Sequence, residues 1–151
     1  MEQLVVDPDP LVDAHGNLLI IKTEFSTTTG VATEVTLISN LALEQKDSYP
    51  GMFTKIRKGE VAVYAIQRVP AQSAGISGTL NLAALVTGSG SLPAKLVTQP
   101  LTGKIDLMRI DHGASTDVIY LIQTTSSGRF VLVYEFNGTA FSEVGTAIPL
   151  S

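Results

Sequence analysis

The sequence predicts an all-β protein, an antiparallel β-sandwich or barrel-like domain, and three observations carry that expectation. Short apolar runs alternate with polar residues at period two, as where Val35 and Leu37 alternate with Glu34 and Thr36. Clusters of Gly, Pro, Asn and Ser separate those runs. The one stretch of good helix formers, Asn40 to Lys46, is two turns at most before Tyr49-Pro50-Gly51 ends it.

Taken in order, residues 1–17 read as an N-terminal arm and residues 18–151 as a single β domain. In the arm, Pro8, Pro10 and the turn at His15-Gly16-Asn17 forbid a continuous regular element, leaving a short strand at Gln3 to Val6. Asn17 to Phe25 is a strand that runs into the loop Ser26 to Gly30, and Val31 to Ser39 is a half-buried strand. Met52 to Arg57 and Glu60 to Val69 form a hairpin joined by Lys58-Gly59. Val61, Val63 and Ala65 share one face of its second strand, and Tyr64, Ile66 and Arg68 the other. Pro70 to Gly78 is a loop of small residues. Thr79 to Thr87 fits neither period cleanly and is read as a strand, with a short helix as the other choice. Gly88 to Ser91 is a tip between strands, and Lys95 to Gln99 and Lys104 to Asp111 are further strands.

The C-terminal end gives the clearest pattern, a β-meander of Asp117 to Thr124, Arg129 to Phe136 and Thr139 to Gly145. Its turns are Ser126-Ser127-Gly128 and Asn137-Gly138, the second expected as a two-residue type I′ turn. That turn also accounts for Asn137-Gly138-Thr139 better than a glycosylation sequon does. In the middle strand Phe130, Leu132, Tyr134 and Phe136 point one way, Val131 and Val133 the other. A strand apolar on both faces belongs in a sandwich core or at a subunit interface.

Composition bounds the function. The 151 residues suffice for one core of ordinary size, and the absence of cysteine removes disulfides, thiolate metal sites and thiol nucleophiles. A net charge of -4 with scattered Lys and Arg gives no footprint for nucleic acid. No apolar stretch approaches the roughly 20 residues of a membrane-spanning helix. The opening residues lack the basic start of an export signal, so synthesis in the cytoplasm is expected. Charged residues are only 16% of the chain and mean hydropathy is +0.28, against roughly 25% charged in an average domain. A small domain so poor in charge has apolar surface to cover, which suits a subunit with permanent contacts.

Two polar clusters carry side chains capable of chemistry. Asp7, Asp9, Asp13, His15 and Asn17 supply oxygen and nitrogen donors, but not at the spacing of a calcium loop, and the prolines among them read as turn makers. Asp106, Arg109, Asp111 and His112 place Arg109 and Asp111 on one strand face, which predicts a salt bridge at a strand edge rather than an acid/base pair. There is no nucleophile elbow, no phosphate-binding glycine loop and no Walker lysine, so no catalytic residue, metal or cofactor is assigned. Aromatic residues available to stack on a sugar are Tyr49, Phe53, Tyr64, Phe136 and Phe141.

Arg129 to Gly145 resembles the outer hairpin of a β-propeller blade, but nothing in the first hundred residues repeats it, which excludes a propeller. The chain as a whole is similar in style to bacteriophage head decoration or cement proteins. The shared traits are a Pro-containing N-terminal arm, no cysteine, low charge and Ser/Thr/Gly-rich loops. No family motif accompanies them and no functional residue is carried over. The resemblance implies a non-enzymatic virion structural protein that binds copies of itself and other shell proteins, with no nucleic acid or membrane partner. The arm residues Leu4, Val5, Val6, Leu11 and Val12 are the expected contacts, through interface area and strand addition. The alternative from another class is a carbohydrate- or ligand-binding β module.

Overall fold

The structure is a computed structural model describing residues 2–5, 9–12, 18–28, 31–39, 45–69, 78–87 and 93–150, with side-chain surroundings for 49–69, 78–86 and 95–150. Among the described residues there are fourteen strands and no helix, every pairing is antiparallel, and the strands form three open sheets. The first holds β1 (Glu2–Val5), β2 (Asp9–Val12), β3 (Leu18–Thr28), β4 (Val31–Ser39) and β5 (Gln45–Pro50). Its order is β1-β3-β4-β5, with β2 also paired to β3. The second, in sequence order, is β6 (Met52–Lys58), β7 (Val63–Val69), β8 (Thr79–Thr87) and β9 (Pro93–Leu101). The third is β10 (Lys104–His112), β11 (Asp117–Thr125) and β12 (Gly128–Phe136), with β13 (Phe141–Glu143) and β14 (Ile148–Leu150) both on β12.

The second and third sheets make a β-sandwich. From the second come Tyr64, Ile66, Leu82, Ala84 and Leu101, and from the third Ile105, Met108, Ile119, Leu121, Leu132, Tyr134 and Phe136, all in one buried cluster. Alternation along β11 explains the choice, since Ile119 and Leu121 are buried while Val118, Tyr120 and Ile122 are not. The opposite face of the second sheet is also covered. Phe53, Val63, Ala65 and Leu85 cluster there with Tyr49, Ile56 and Leu96 packed against them. The central strand β7 is therefore buried on both faces, with Val63 and Ala65 opposite Tyr64 and Ile66 as its sequence predicts, whereas Val61, expected beside Val63, lies before the strand and packs with the Tyr64 cluster.

Gly51 carries the chain from the first sheet to the second. It is the single residue between β5 and β6, at φ +83°, and a Cβ there would run into the carbonyl of Arg68. Only glycine adopts that conformation without strain.

Four expectations are corrected. The helix at 40–46 is not made where it is described, because Gln45 opens β5 opposite Ser39 of β4 with Lys46 at the bulge that follows, and 40–44 lie outside the described residues. Strand pairing overrides a weak local helix preference. Second, Lys58-Gly59 is not a two-residue turn. Gly59 to Ala62 forms a longer loop closed by Gly59 N–H donating to Ala62 O at 2.9 Å, because the amides of Glu60 and Val61 are drawn to Asp117. Third, Asn137-Gly138 is not a type I′ pair. The loop runs Asn137 to Ala140, and the Asn137 side-chain oxygen accepts from the amides of Thr139 at 2.8 Å and Ala140 at 3.0 Å, an Asx turn. Fourth, Thr139 to Gly145 is no full strand: Phe141–Glu143 is paired, and β14, unanticipated, fills the remaining length of β12. The tips 70–77 and 88–91, and Asp7, Asp13, His15 and Asn17, lie outside the described residues, and Asp9 opens β2.

Candidate functional site

The outer face of the third sheet is the candidate. Register places side chains there in four rows across the strands. One row runs Asp111, Val118, Glu135, Ser142, and the next Arg109, Tyr120, Val133, continued by Val144, whose N–H donates to Val133 O at 2.8 Å. The third is Leu107, Ile122, Val131, Ile148, and the fourth Lys104, Thr124, Arg129, Leu150. The two central rows are apolar apart from Arg109.

Exposure makes this face unusual. The large hydrophobics exposed among the described residues are Leu107 at 48%, Tyr120 at 37%, Val144 at 44%, Ile148 at 54% and Leu150 at 40%, and all five belong to it. Scattered exposed apolar residues are ordinary on any protein, whereas a contiguous set marks a contact surface. The inner face of the same strands is already spent on the sandwich core.

Charge is sorted to the two ends of the face. Asp111 and Glu135 lie at one end, Lys104 and Arg129 at the other. Asp106, at the bulge in β10, joins the basic end: it takes a short hydrogen bond from the Thr124 hydroxyl and lies 3.6 Å from Lys104 Nζ and 3.7 Å from Arg129 Nη2. The Thr124 hydroxyl first, then the two cations, hold its carboxyl below the usual value. The expected pair of Arg109 with Asp111 is not formed. Asp106 makes the ion pairs of this region, and Asp111 instead accepts from the His112 amide at 2.9 Å.

The other polar constellation centres on Asp117, whose side chain faces into the sandwich and is fully buried. Its Oδ2 accepts from the Tyr64 hydroxyl at 2.7 Å and the Val61 amide at 2.8 Å, and its Oδ1 from the Glu60 amide at 3.1 Å, with His112 Nδ1 also at 3.1 Å. A carboxylate offers about four lone-pair sites, so all are used and none remains for a metal ion or a proton in transit. Burial opposes its charge, but the bonds from Tyr64, Val61, His112 and Glu60 outweigh that and hold the carboxyl below its usual value. Burial, and then the bond to Asp117, push the Tyr64 hydroxyl up. The contact with Asp117 raises His112, against its own desolvation. A Cβ at Gly59 would run into the Asp117 carboxylate and the Tyr64 ring, which fixes glycine there. A cleft of about 560 Å³ beside this tie is lined by Lys58, Gly59, Glu60 and His112. The constellation locks the β6–β7 loop to the start of β11.

Of the predicted arm contacts, Leu4 and Val5 fall in β1 and Leu11 and Val12 in β2, while Val6 lies outside the described residues. Both strands lie on one edge of β3, Leu4 opposite Phe25 and Leu11 opposite Leu19. The aromatics considered for sugar stacking are engaged elsewhere. Tyr64 and Phe136 are fully buried in an edge-to-face pair, Phe141 packs on both, and Tyr49 stacks on Phe53. Comparison with known proteins finds no family model, no curated protein and no solved structure that matches the chain.

Sequence reasoning missed Asp117, though a signal was present: it is an acidic residue in phase with Ile119 and Leu121 on the core side of its strand. It also missed the outer rows as a unit, because they appear only once four strands are in register.

Proposed function

We propose that this chain is a non-enzymatic structural subunit of a virion, of the head decoration or cement kind, made in the host cytoplasm and working through contacts with its own copies and with shell proteins. The observation that carries the reading is the gathering of all five exposed large hydrophobics of the described residues onto one sheet face. Such a face is costly for a free monomer and useful to a subunit held permanently against others. The low charge content points the same way. The arm adds a second means of attachment, since β1 and β2 share one edge of β3 and backbone pairing of that kind can be made with a neighbour's strand as well.

The alternative, a carbohydrate- or ligand-binding module, draws less support. Stacking on sugar needs exposed aromatic rings, and the rings of Tyr64, Phe136 and Phe53 are buried, which leaves Tyr120 as the one aromatic among the exposed large hydrophobics of the described residues.

The test is to band particles by density gradient from cells that carry the gene in its native genome and to measure the chain in the band. Many copies per particle are expected, with removal of residues 1–17 lowering that number. A chain that stays in the soluble fraction while particles band without it rules the reading out.

A further inference from the structure

We infer that the outer face of the third sheet takes a second copy of itself, face to face, about a two-fold axis that lies in the contact plane and crosses the strands. This rests on the reading of the chain as a contact-making subunit and adds the occupant and its orientation.

Charge selects the axis. A two-fold running along the strands would lay the end bearing Asp111 and Glu135 on its own copy, carboxylate against carboxylate. An axis across the strands reverses the rows instead. Glu135 then faces Arg129 of the second copy and Asp111 faces Lys104, and symmetry makes each pairing twice. The acidic row has formal charge -2, or -1 with the adjacent Arg109 counted, while Lys104 and Arg129 leave the other end at +1 after Asp106 is counted. The two central rows, apolar apart from Arg109 at the β10 edge, fall on each other in the middle, with Tyr120 over Ile122 of the copy. This is an apolar centre inside a charged rim, as in stable interfaces.

The area suffices. β10, β11 and β12 have nine residues each, about 30 Å at ~3.3 Å per residue, and four strand positions at ~4.8 Å span about 19 Å. The flat projection from both copies is then about 1,100 Å², above the roughly 1,000 Å² of a specific interface even before side-chain relief is added.

The experiment is sedimentation velocity with light scattering on the full-length chain over a wide concentration range. A species of twice the 16.0 kDa chain mass is expected, or an even multiple of it. Ile148→Lys and Leu107→Lys lie at half-exposed positions on opposite edges of the sheet, so they leave the core intact and should each yield monomer with an unchanged circular dichroism spectrum. Glu135→Arg should weaken association about tenfold or more, and adding Arg129→Glu should restore it to within about threefold of the wild type. A wild-type chain that is monomeric throughout, an oligomer indifferent to both lysine variants, or a charge swap that fails to restore association each overturns the inference. A monomer that still bands with particles removes this contact alone, whereas a dimer that never bands with them removes the virion reading alone.

Discussion

Asp117 shows how much one side chain does when its surroundings are complete. Three of its four hydrogen bonds join the β6–β7 loop and β7 to β11 and the fourth ties in His112 at the end of β10, and every buried side-chain nitrogen and oxygen among the described residues has a partner. Asp117→Ala would strand the Tyr64 hydroxyl and two amides, so urea unfolding should show a loss of roughly 3–5 kcal/mol, with Asp117→Asn intermediate. A value below about 1 kcal/mol would mean the loop is held by something else. The same site sets a pH dependence. His112 is raised when folded, so its contribution is fully present below the unfolded value of 6.5 and is lost as pH rises through the higher folded value. Asp117 is lowered, so its contribution is present above 3.8 and is lost as pH falls through its folded value. Glu60 and Asp111 also favour the charged imidazole. Melting temperature should therefore decline on both sides of a plateau between those values, and His112→Gln should flatten the neutral limb while keeping an acid limb carried by the Tyr64, Val61 and Glu60 bonds to Asp117. An unchanged neutral limb in the variant would assign it to another group. None of this was legible as a site in the sequence, because Tyr64 reaches the neighbouring pair His112 and Asp117 only when the second sheet packs on the third. Only the phase of Asp117 with the core residues hinted at it.

Elements were more legible than contacts, because strands with turns at both ends carry their own punctuation. The run from Asp117 to Phe136 follows its alternation closely, and the two faces of β7 are those the period-two pattern predicts. Failures came where a local preference competed with a partner. Gln45 and Lys46 are good helix formers taken into β5 by pairing with β4, and the amides after Gly59 leave the ladder for Asp117. Backbone geometry gives a paired prediction at this scale. Gly51 and Lys55 both have positive φ, +83° and +53°, and Lys55 sits in the bulge between β6 and β7. Gly51→Ala meets a left-handed conformation and the Arg68 carbonyl together, and should cost at least ~1–2 kcal/mol by thermal or urea unfolding. Lys55→Gly relieves the same strain where there is no such obstruction, and should be neutral or stabilising by up to about 1 kcal/mol. Equal losses in the two variants would show that the bulge does not need the left-handed residue.

At the scale of the whole molecule, the sandwich core and the N-terminal strands are separable in a way that a truncation measures. The main core is drawn, among the described residues, from Val61 to Ala147, whereas β1 and β2 touch the rest of the fold by pairing along one edge of β3. The sequence marked residues 1–17 as a distinct arm through its prolines and turn, and the register adds that the arm has strand partners. Deleting residues 1–17 should therefore leave a cooperative unfolding transition and the near-ultraviolet signal of the buried Tyr64 and Tyr134, since among the described residues both rings pack in the core between the second and third sheets. It should also expose backbone donors and acceptors along β3, an open edge that recruits strands. The truncated chain is then expected to stay folded but self-associate through that edge, and a peptide of residues 1–17 added in excess should suppress the association. That edge pairing and the outer face of the third sheet lie on different sheets, so Ile148→Lys should leave it untouched. A truncated chain that loses its tyrosine signal would make residues 1–17 part of the folding unit rather than an attachment. One that stays folded and associates no further than the full-length chain without the peptide would show that the β3 edge is closed to strand addition, leaving the sheet face to carry the contacts alone.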